Sequence, residues 1–512
     1  MLRLVDLVAG VSRLADLGFG LPAGTSLRSS ALAVTLARSL DLPDEDLRAG
    51  LYTGLLLHVG CVGYAHETAR LFGDEFTVQV AAERTNRADA RDVATTLVPQ
   101  VLRGRAPLDK VRLMVTAATR GQRERQAFDI AACEVGRDAT RRLGLSEAVQ
   151  VSVYHADEWW NGSGVPAGLA GDDIPVGARL AAVTSVAALF DGIGGAEAAA
   201  AAVRDRAGGI LDPGIAAHFA DRAAELLGEG DATDPYGLVL EAEPRPVASV
   251  LDPVLVEVAA VFGDLADLKS PFFHGHARGV ARLARSGGEY LGLSSGDLDE
   301  LELAGLLHDV GRVAISASLW DKPGPLTASE WEQVRLHAYH SERILAGSRR
   351  LAPLATLAGM HHERCDGSGY HRGCTDGEMS RKMRILATAD AYQAMTQPRA
   401  HRPARTAEDA ERQLRAEVTD GRLDTDTVVA VLAAAGHDPP PISRELPAGL
   451  TDRQVEVLQL VAQGCSNRQI AERLVISRRT AEYHVQQIYV KIGTSSRAAA
   501  AMFAMEHRLL DG

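Results

Sequence analysis

The sequence contains little cysteine and no long apolar run. Its five cysteines are scattered, odd in number and form no CxxC pair, which argues against a zinc knuckle and indicates a reducing compartment. No segment reaches the roughly 18 uninterrupted apolar residues that a membrane span requires. The opening stretch MLRLVDLVAGVSRLADL has almost no basic region and is interrupted by charges, so it does not predict a signal peptide. We therefore expect a cytoplasmic protein without a membrane anchor.

Positive charge is also scarce, because 54 Lys and Arg stand against 67 Asp and Glu and the net charge is −13. Such a balance repels nucleic acid, so any DNA contact must be confined to a part of the chain with a different charge. The apolar fraction of 46% and the charged fraction of 24% are ordinary for globular proteins. The length allows about three or four domains.

Histidine and aspartate recur in apolar surroundings between residues 276 and 390. LLHDVGR at 306–312 places His308 beside Asp309, and HHERCDGSGY at 361–370 places His361 beside His362. A single buried histidine is usually a hydrogen-bonded core residue, but this set is larger than a core needs, and burying its carboxylates without a cation would be costly. Imidazole and carboxylate together suit iron, manganese, zinc or nickel. The pattern predicts a two-metal site bridged by Asp309, with candidate ligands His276, His308, Asp309, His337, His361, His362 and Asp390.

These motifs resemble the HD-GYP family of metal-dependent phosphohydrolases. The match includes, in order and spacing, DLKSPFFHGHARGVARLA at 267–284, LLHDVGRVAIS at 306–316, the KPGPLTASEW run, HHERCDGSGY and RILATADAYQAM at 384–395. The resemblance implies an all-α bundle with a dimetal site at its centre. It also implies hydrolysis of a phosphodiester, typically cyclic di-GMP, by a metal-bound hydroxide.

The resemblance divides the ligands between two metals. One metal would be held by His276, His308, Asp309 and Asp390, and the second by His337, His361 and His362, with Asp309 bridging. It also implies catalytic roles for Asp309 and Arg312, and a substrate loop formed by Asp366, Gly367, Gly369 and Tyr370.

Four positions refine this expectation. Arg312 stands where the family has Lys, His371 replaces the Pro of GYP, and Gln393 replaces the second Asp of a DAYDAM run. None is a predicted ligand, so these departures bear on the substrate more than on metal binding. Some members bind a third metal through a Glu before the first histidine, and Phe272 occupies that position here, so we expect two divalent ions.

The chain contains an internal repeat between residues 1–203, the N-terminal region, and residues 251–436, the central region. GLLLHVGCV at 54–62 aligns with GLLHDVGRV at 305–313. The longer segment EWWNGSGVPAGLAGDDIPVGARLAAVTSVA at 158–187 aligns with ERCDGSGYHRGCTDGEMSRKMRILATADAY. The N-terminal region is longer between these anchors, with the extra residues falling roughly between Gly73 and Arg125. Repeats of this kind predict two domains of the same fold.

The N-terminal region lacks most of the predicted ligands. Only His58 is expected to remain, and one imidazole cannot hold two ions. The region is therefore predicted to be a degenerate HD-GYP-like domain. The residues opposite the ligands are Thr25 for His276, Val59 for Asp309, Ala132 or Cys133 for His337, Ala156 and Asp157 for His361 and His362, and Ser185 for Asp390.

Two features of the N-terminal region leave alternatives open. His66 and Glu67 lie close to His58 in sequence, but with the partner carboxylates gone we favour a structural role over a metal site. An aromatic patch formed by Tyr154, His155, Trp159 and Trp160 either lines a ligand pocket or fills the space that the metals left.

Two stretches rich in turn-forming residues separate the domains. Residues 204–250 mix Gly, Pro and Asp around one predicted amphipathic helix at 215–227, and form a connector. Residues 437–445 contain three consecutive prolines, which cannot continue a helix, and form a linker. The fold prediction is all-α, with two HD-GYP-like helical domains in tandem followed by a small four-helix domain at 446–512, the C-terminal tail.

The C-terminal tail contains residues that typically begin and end short helices. Thr451 is a suitable N-cap for the first helix and Gly464 ends it. Asn467 opens the second, Ser477 caps the third, and Gly493 terminates the third. Two helices joined by a short turn, with polar residues along the third, are typical of a helix-turn-helix reader.

The tail resembles the LuxR-type DNA-binding domain in its LTxRQxEVLxLxAxG, SNxxIAxxL and IYxKxG patterns. It carries eight Lys/Arg and six Asp/Glu, a net charge of +2 that leaves −15 for the rest of the chain. Double-stranded DNA is therefore a predicted partner, and the resemblance implies a homodimer formed through the last helix. The candidate DNA-binding residues are Arg468, Ser477, Arg478, Arg479, Thr480, His484, Gln487 and Lys491.

The combination predicts a DNA-binding transcriptional regulator that carries a dimetal phosphohydrolase domain, which hydrolyses or senses a cyclic dinucleotide or a related phosphodiester. One alternative keeps DNA binding but makes the metal domain a nucleotide sensor with negligible turnover. Another is a phosphohydrolase whose tail only dimerises. The residues alone leave the metal, the substrate and the operator undetermined.

Overall fold

The computed structural model describes residues 2–119, 121–228, 234–247, 249–250, 252–438, 447–507 and 509–510. The chain divides into two compact units, Met1–His437 and Asp438–Gly512. The predicted prolines of the 437–445 linker lie outside the described residues, as do parts of the connector.

The first unit begins with a helical half that spans the N-terminal region and the connector. Short 3-10 helices at Val59–Tyr64 and Gly171–Asp173 and a π-helical turn at Val93–Leu97 interrupt its α-helices. These are α1 Leu4–Phe19, α2 Thr25–Ser39, α3 Asp44–Leu56, α4 Ala65–Phe72, α5 Glu75–Arg84, α6 Ala90–Asp92, α7 Val98–Leu102, α8 Pro107–Thr119, α9 Gly121–Arg142, α10 Glu147–Tyr154, α11 Val176–Arg206, α12 Pro213–Asp221, α13 Ala223–Leu227 and α14 Pro235–Ala242.

The central region is also helical, with 3-10 helices at Val310–Ala314 and Asp376–Glu378. Its α-helices are α15 Asp252–Asp267, α16 His276–Tyr290, α17 Ser295–Leu307, α18 Ala317–Trp320, α19 Ala328–Ala346, α20 Ala352–Gly359, α21 Arg381–Thr396, α22 Ala407–Thr419 and α23 Thr425–Ala434. Among the described residues the only strands are β1 Leu2–Arg3 and β2 Ser249–Val250, which pair antiparallel with Leu2 opposite Val250. The all-α prediction is confirmed.

One hydrophobic core runs through both regions of the first unit. Its buried members include Leu7, Leu55 and Leu180 from the N-terminal region and Val258 and Leu307 from the central region. Helix α1 packs against the 3-10 helix Val310–Ala314 and against α19. Burial of apolar area is the main stabilising term in folding, so a shared core joins the two regions into one body.

The contact between the regions also contains a buried ion pair. The Lys269 ammonium lies 2.8 Å from Glu75 Oε1, and both side chains are fully buried. The same ammonium donates to the Val313 carbonyl at 3.0 Å and lies over the Phe76 ring. Burial lowers the pKa of Lys269, and Glu75 opposes that shift. The pair therefore ties α5 of the N-terminal region to the central region.

Helix α11 is the one helix in the described part of the chain that is long and apolar enough to cross a membrane. About half of its most apolar window, 56%, is buried inside the protein, and the backbone at Gly194 and Gly195 is not helical. Its apolar side chains, such as Leu180 and Val183, pack in the core.

Paired local features support the predicted repeat. Helices α2 and α16 each begin after a left-handed glycine, Gly24 and Gly275. A Cβ on Gly60 would lie 2.0 Å from the Ala132 carbonyl oxygen, and a Cβ on Gly311 would lie 2.1 Å from that of His337. Both positions therefore require glycine for the same close approach.

These glycines also shift the predicted alignment of the N-terminal region with the central region by one residue. Because Gly60 corresponds to Gly311, and α3 and α17 both end just before the 3-10 helices, His58 lies opposite Asp309 rather than opposite His308. The apolar side chain opposite His308 is Leu57. The N-terminal region thus keeps none of the predicted ligands in its own position.

The connector also differs from its prediction. The expected helix at 215–227 is two helices, α12 and α13, separated at Arg222, whose backbone is not helical. A further helix, α14, follows at Pro235–Ala242.

The second unit has the four predicted short helices α24 Asp452–Ala462, α25 Asn467–Arg473, α26 Arg478–Ile492 and α27 Arg497–Glu506. The caps at Thr451 and Ser477 are those expected from the sequence, whereas Ser466, which caps the helix that begins at Asn467, was not predicted. Thr451 and Ser466 each form a capping box, and the Ser477 hydroxyl accepts from the Thr480 backbone N–H. A small core of residues such as Leu458, Ile470 and Ile488 holds the helices together.

Candidate metal centre and nucleic-acid interface

All seven predicted ligands converge in the central region, each placed by a helix terminus or a helix face. His276 is the first residue of α16, and His308 and Asp309 lie between α17 and the following 3-10 helix. His337 lies in α19, Asp390 lies in α21, and His361 and His362 follow α20. The side chains are almost fully buried, apart from that of His362 at 18% exposure.

The first group surrounds a single point between four side chains. His276 Nε2 lies 3.1 Å from Asp390 Oδ1 and 3.3 Å from Asp309 Oδ2. His308 Nε2 lies 2.8 Å from the same Asp309 oxygen. One ligand atom from each of the four residues lies within 4.8 Å of the others, which is compatible with a shared metal ion.

The second group consists of three imidazoles. His337 Nε2 and His361 Nε2 lie 3.2 Å apart, and one ligand atom of His362 completes a set within 4.8 Å. The Nδ1 atoms of His337 and His361 each lie 2.6 Å from a backbone carbonyl, of Val334 and of Ala358, which fixes the tautomer that turns the Nε2 lone pair inward.

Asp309 connects the two groups. Its Oδ2 faces His276 and His308, and its Oδ1 lies 3.3 Å from His337 Nε2 and 3.4 Å from His361 Nε2. Asp309 Oδ2 is in close contact with His308 Nε2 at 2.8 Å and with the Arg312 guanidinium, whereas Oδ1 is buried without a hydrogen bond. Buried polar atoms are almost always satisfied, so a cation between the groups would satisfy Oδ1, which is the arrangement predicted for a bridging carboxylate.

The electrostatics of the groups also favour a cation. Burial raises the pKa of Asp309, but the Arg312 guanidinium and His308 outweigh burial and hold this pKa well below its usual value. Burial lowers the pKa of His361 to about 4, and it lowers that of His362 well below its usual value. Asp309, His361 and His362 are therefore in the deprotonated form that a metal requires. Burial lowers the pKa of His308, but Asp309 and Asp390 outweigh burial and raise this pKa to about 10, so a metal ion would have to displace a proton from His308.

A cavity of about 410 Å³ opens beside the two groups. His337, His362 and Asp390 form part of its floor. Its walls combine aromatic and basic side chains, including Phe273, Trp320, Trp331, Tyr370, Arg312, Lys322 and Arg399. Aromatic faces next to cations suit a ligand that has both bases and phosphates.

Two arginines in the cavity have unsatisfied N–H groups. Arg312, predicted as catalytic, contacts Asp309 Oδ2 through Nη2 at 2.5 Å, while its Nε and Nη1 are buried without a partner. Arg399 Nη2 is likewise buried without a partner, and burial together with Arg312 lowers the pKa of Arg399 to about 10. Arg399 was missed because its run, QPRAHRPAR, has the composition of an exposed connector.

The predicted substrate loop has one cavity residue and three that shape the turn. Tyr370 stacks on His362 with ring centres 4.6 Å apart and lines the cavity. Asp366 accepts from the Ser368 backbone, Gly367 has a left-handed backbone, and a Cβ on Gly369 would lie about 2.5 Å from Glu363. The buried Glu363 carboxylate, which sequence reasoning missed, accepts from the backbone of residues 372 and 374 and fixes the loop.

The residues that depart from the family pattern lie outside the ligand groups. His371 Nε2 lies 3.6 Å from Glu342. The Gln393 side chain occupies the space beside Gly279. The Phe272 carbonyl accepts from Arg399, and the Phe272 side chain has no ligand atom for a third metal.

The N-terminal region has no comparable cluster among its described residues. His58 stacks on Phe19 at 4.4 Å, and Arg87 lies over the Trp159 ring at 5.5 Å. Arg137 covers Tyr154 at 4.1 Å. Arginines of the same region thus cover the Tyr154 and Trp159 rings of the aromatic patch.

In the tail, the predicted DNA-binding residues fall into two groups by exposure. Arg468, Ser477, Arg478 and Arg479 are exposed, whereas Thr480, His484 and Gln487 are half-buried. The Lys491 ammonium donates to Gln454 Oε1 at 2.8 Å and to the Gly449 carbonyl. Lys491 is nevertheless exposed, so its role toward a phosphate stays a prediction.

The exposed face of α26 contains residues that the sequence reading passed over. Tyr483, at 61% exposure, and Gln486 are exposed on the same helical face as Arg479, at spacings of four and seven residues. A recognition helix contacts base edges with such a face.

Comparisons with known proteins agree with this geometry. Residues 260–427 match the HD domain family, and residues 448–504 match the family described as bacterial regulatory proteins, luxR family. The chain is 29% identical over 405 residues to 3'3'-cGAMP-specific phosphodiesterase 3 of Vibrio cholerae, covering 78% of this chain and 88% of that protein. It is 32% identical over 195 residues to a cyclic di-GMP phosphodiesterase of Thermotoga maritima, covering 37% of this chain and 52% of that protein.

The fold has a counterpart among solved structures. A crystal structure of a cyclic GMP-AMP specific phosphodiesterase from V. cholerae covers 86% of this chain and 99% of its own length, with a TM-score of 0.57 and 26% identity. The similarity therefore extends well beyond the HD domain match.

Proposed function

We propose that this chain hydrolyses a cyclic dinucleotide and regulates transcription by binding DNA. Its HD domain, its luxR-family domain and its homology to HD-GYP cyclic dinucleotide phosphodiesterases support the proposal. The observation that carries the enzymatic part is Asp309, whose two buried oxygens each face one group of histidines. The domain division at 1–203, 251–436 and 446–512 belongs to the same proposal.

The two groups would each hold one divalent ion, one through His276, His308, Asp309 and Asp390 and the other through His337, His361 and His362. Iron, manganese, zinc and nickel all suit this donor set. Bound metal would supply a hydroxide nucleophile near neutral pH and would stabilise the charge that develops on phosphorus.

The side chains around the groups would bind and orient the phosphodiester. The free N–H groups of Arg312 and Arg399 point to a phosphate at the cavity floor, because guanidinium binds phosphate through paired N–H donors. Trp331 and Tyr370, whose ring centres lie 6.2 Å apart, would hold the bases by stacking. The relatives that hydrolyse cyclic di-GMP or 3'3'-cGAMP support a cyclic dinucleotide as the substrate class.

The tail would bind double-stranded DNA through α26, with Arg478 and Arg479 near phosphates and Tyr483 and Gln486 near base edges. A homodimer would present two such helices to two half-sites. We place the protein in the cytoplasm, where DNA and cyclic dinucleotides meet.

Metal analysis and a turnover assay test the enzymatic part. Asp309→Ala should lose bound metal and hydrolysis together while its circular dichroism stays helical, because the shared ligand serves both groups. His58→Ala is the control and should keep the metal and turnover of the wild type, because His58 stacks on Phe19 outside any ligand group. Full metal content and activity in Asp309→Ala would contradict the proposal.

A nucleotide sensor is the second candidate, because Arg312 competes with metal for Asp309 Oδ2 at 2.5 Å. Stoichiometric binding of cyclic di-GMP or 3'3'-cGAMP by metal-loaded protein, without turnover, would favour the sensor over the enzyme.

A further inference from the structure

Helix α18 forms part of the cavity wall. Leu319, Trp320 and the following Lys322 line the cavity. The Trp320 ring lies 5.6 Å from that of His337, a candidate ligand, and its Nε1–H donates to the Arg312 carbonyl at 3.3 Å. The position of this single helical turn therefore sets the shape of the cavity next to the second histidine group.

The start of α18 is held by the N-terminal region. Glu75 Oε1 accepts from the Ala317 backbone N–H at 2.8 Å, and Glu75 Oε2 accepts from the Ser316 hydroxyl at 2.8 Å. Ser316 is the N-cap of α18. The same carboxylate forms the fully buried ion pair with Lys269, so its orientation is fixed from both sides.

The residue that follows α18 is held by the N-terminal region as well. His66 Nδ1 binds Asp321 Oδ2, and the other Asp321 oxygen accepts from the Ser270 hydroxyl at 2.6 Å. Between the two polar contacts, Ala65 and Ala69 pack on Ala317. The N-terminal region thus contacts α18 at both ends and along one side, while the opposite side faces the cavity.

We infer that the N-terminal region positions the substrate-binding wall of the central region, with His66 and Glu75 as positioning residues that act through α18. This inference rests on the proposed function, since it assigns a role toward the substrate of that cavity. Neither residue touches the ligand groups, so the expected effect falls on substrate binding and leaves metal content unchanged. It gives the N-terminal region a role in the reaction and assigns a function to His66, for which the sequence favoured a structural role.

His66→Ala in the full-length protein tests the inference, because this side chain is 26% exposed and its truncation spares the core. We expect the KM for the cyclic dinucleotide to rise about tenfold, the usual effect of losing one hydrogen bond to a charged group, with kcat changed less than about twofold and metal content unchanged. His66→Asn, whose amide N–H can still donate to Asp321, should recover most of the KM.

His155→Ala is the matched control. His155 also belongs to the N-terminal region and has a carboxylate partner, Glu158 at 3.3 Å, but it makes no contact with α18 in the described structure. It should keep the KM of the wild type. A rise in KM equal to that of His66→Ala would mean that general destabilisation of the N-terminal region explains the effect, and the inference would be abandoned.

Amide hydrogen exchange separates this inference from the proposed function. Residues 315–322 should exchange faster in His66→Ala than in the wild type, and at the wild-type rate in His155→Ala. If the wild type hydrolysed no cyclic dinucleotide, the proposed function would fail, yet the exchange rates would still decide whether α18 is held by the N-terminal region. Unchanged exchange in His66→Ala would overturn the inference.

Discussion

The unpaired N–H group of Arg399 indicates that the cavity suits a negatively charged ligand. Its Nη1 donates to the Phe272 and Pro398 carbonyls, whereas its Nη2 is buried in the cavity wall without an acceptor. A buried donor without a partner costs free energy, and a phosphate oxygen would remove that cost. The arginine therefore marks a place for negative charge beside the candidate metal ligands.

Arg399→Met should raise the KM for the cyclic dinucleotide roughly ten- to a hundredfold, the span expected for one hydrogen bond to a charged group. Steady-state kinetics on metal-loaded protein measure the effect. Arg405→Met, which removes an exposed arginine whose side chain contacts Gln413, serves as the control and should be neutral. An unchanged KM in Arg399→Met would exclude Arg399 from phosphate binding.

Many of the individual residues of the candidate site could be predicted from the sequence, because their residue types are unusual in their surroundings. Histidine and aspartate in apolar surroundings are rare, so His308, Asp309 and Asp390 could be identified by pattern and resemblance. Arg399 could not, since arginine is common on surfaces and its burial depends on how the chain folds over Phe273. The Glu75–Lys269 pair joins positions almost two hundred residues apart, and no local pattern reports such a contact.

Helix α19, which carries His337, begins at a capping box that titrates. Glu330 accepts from the Thr327 backbone at 2.7 Å and pairs with the Lys322 ammonium at 2.6 Å. The Lys322 contact, followed by the Thr327 bonds, lowers the pKa of Glu330 to about 2. A carboxylate with a lowered folded-state pKa stabilises the fold above its unfolded pKa of about 4.5, and that stabilisation disappears as the pH falls toward 2.

Glu330→Gln should therefore lower the Tm slightly at pH 7, and the difference from the wild type should shrink as the pH falls from 4.5 toward 2. Thermal unfolding at several pH values measures the difference. Glutamine can still serve the capping box, so the variant isolates the charge. Thr327→Val removes the cap hydroxyl but keeps the Lys322 contact and the Thr327 backbone bond to Glu330, so its Tm decrease should change less with pH than that of Glu330→Gln. A constant Tm difference for Glu330→Gln would contradict the assignment.

Helix α26 offers two adjacent glutamines for a matched comparison. Gln486→Ala should change the base preference of DNA binding at particular positions, because Gln486 is exposed on the face that carries Arg479 and Tyr483. Gln487→Ala should leave the preference of the wild type, because Gln487 is half-buried. Selection from a random DNA library by each variant decides the point. A change of preference in the second variant alone would reverse the assignment.

Helix boundaries in the tail were predictable because caps are local chemistry. Thr451, Ser477 and Gly493 act at the helix ends where the sequence placed them. The break at Arg222 was not predictable, because the apolar period runs through it and arginine favours helix. The predicted alignment of His58 with His308 was wrong by one residue. It matched two histidines, whereas the close backbone approach at Gly60 aligns Gly60 with Gly311 and so places His58 opposite Asp309.

At the scale of the whole molecule, the proposed function predicts that ligand binding in the first unit and DNA binding in the second influence each other. If cyclic dinucleotide regulates transcription, its binding must change DNA affinity, typically by a factor of about 5–150. Fluorescence anisotropy with a DNA sequence selected by the full-length protein, with and without cyclic di-GMP or 3'3'-cGAMP, measures that factor.

Replacing the three prolines of the 437–445 linker with Gly and Ser should reduce the factor while leaving nucleotide affinity nearly unchanged, since flexible linkers transmit orientation poorly. Equal DNA affinity in all four combinations of protein and nucleotide would leave two independent activities on one chain.

The buried Glu75–Lys269 ion pair limits how the N-terminal region could be exchanged for a related domain. A recombinant that replaced residues 1–203 with a related domain lacking a carboxylate at position 75 would bury the Lys269 ammonium unpaired, at a cost of about 3–5 kcal/mol. Native domains have only about 5–15 kcal/mol of stability in total. The N-terminal and central regions are therefore expected to tolerate replacement best as a matched pair, whereas the C-terminal tail, a separate compact unit, does not contain this ion pair.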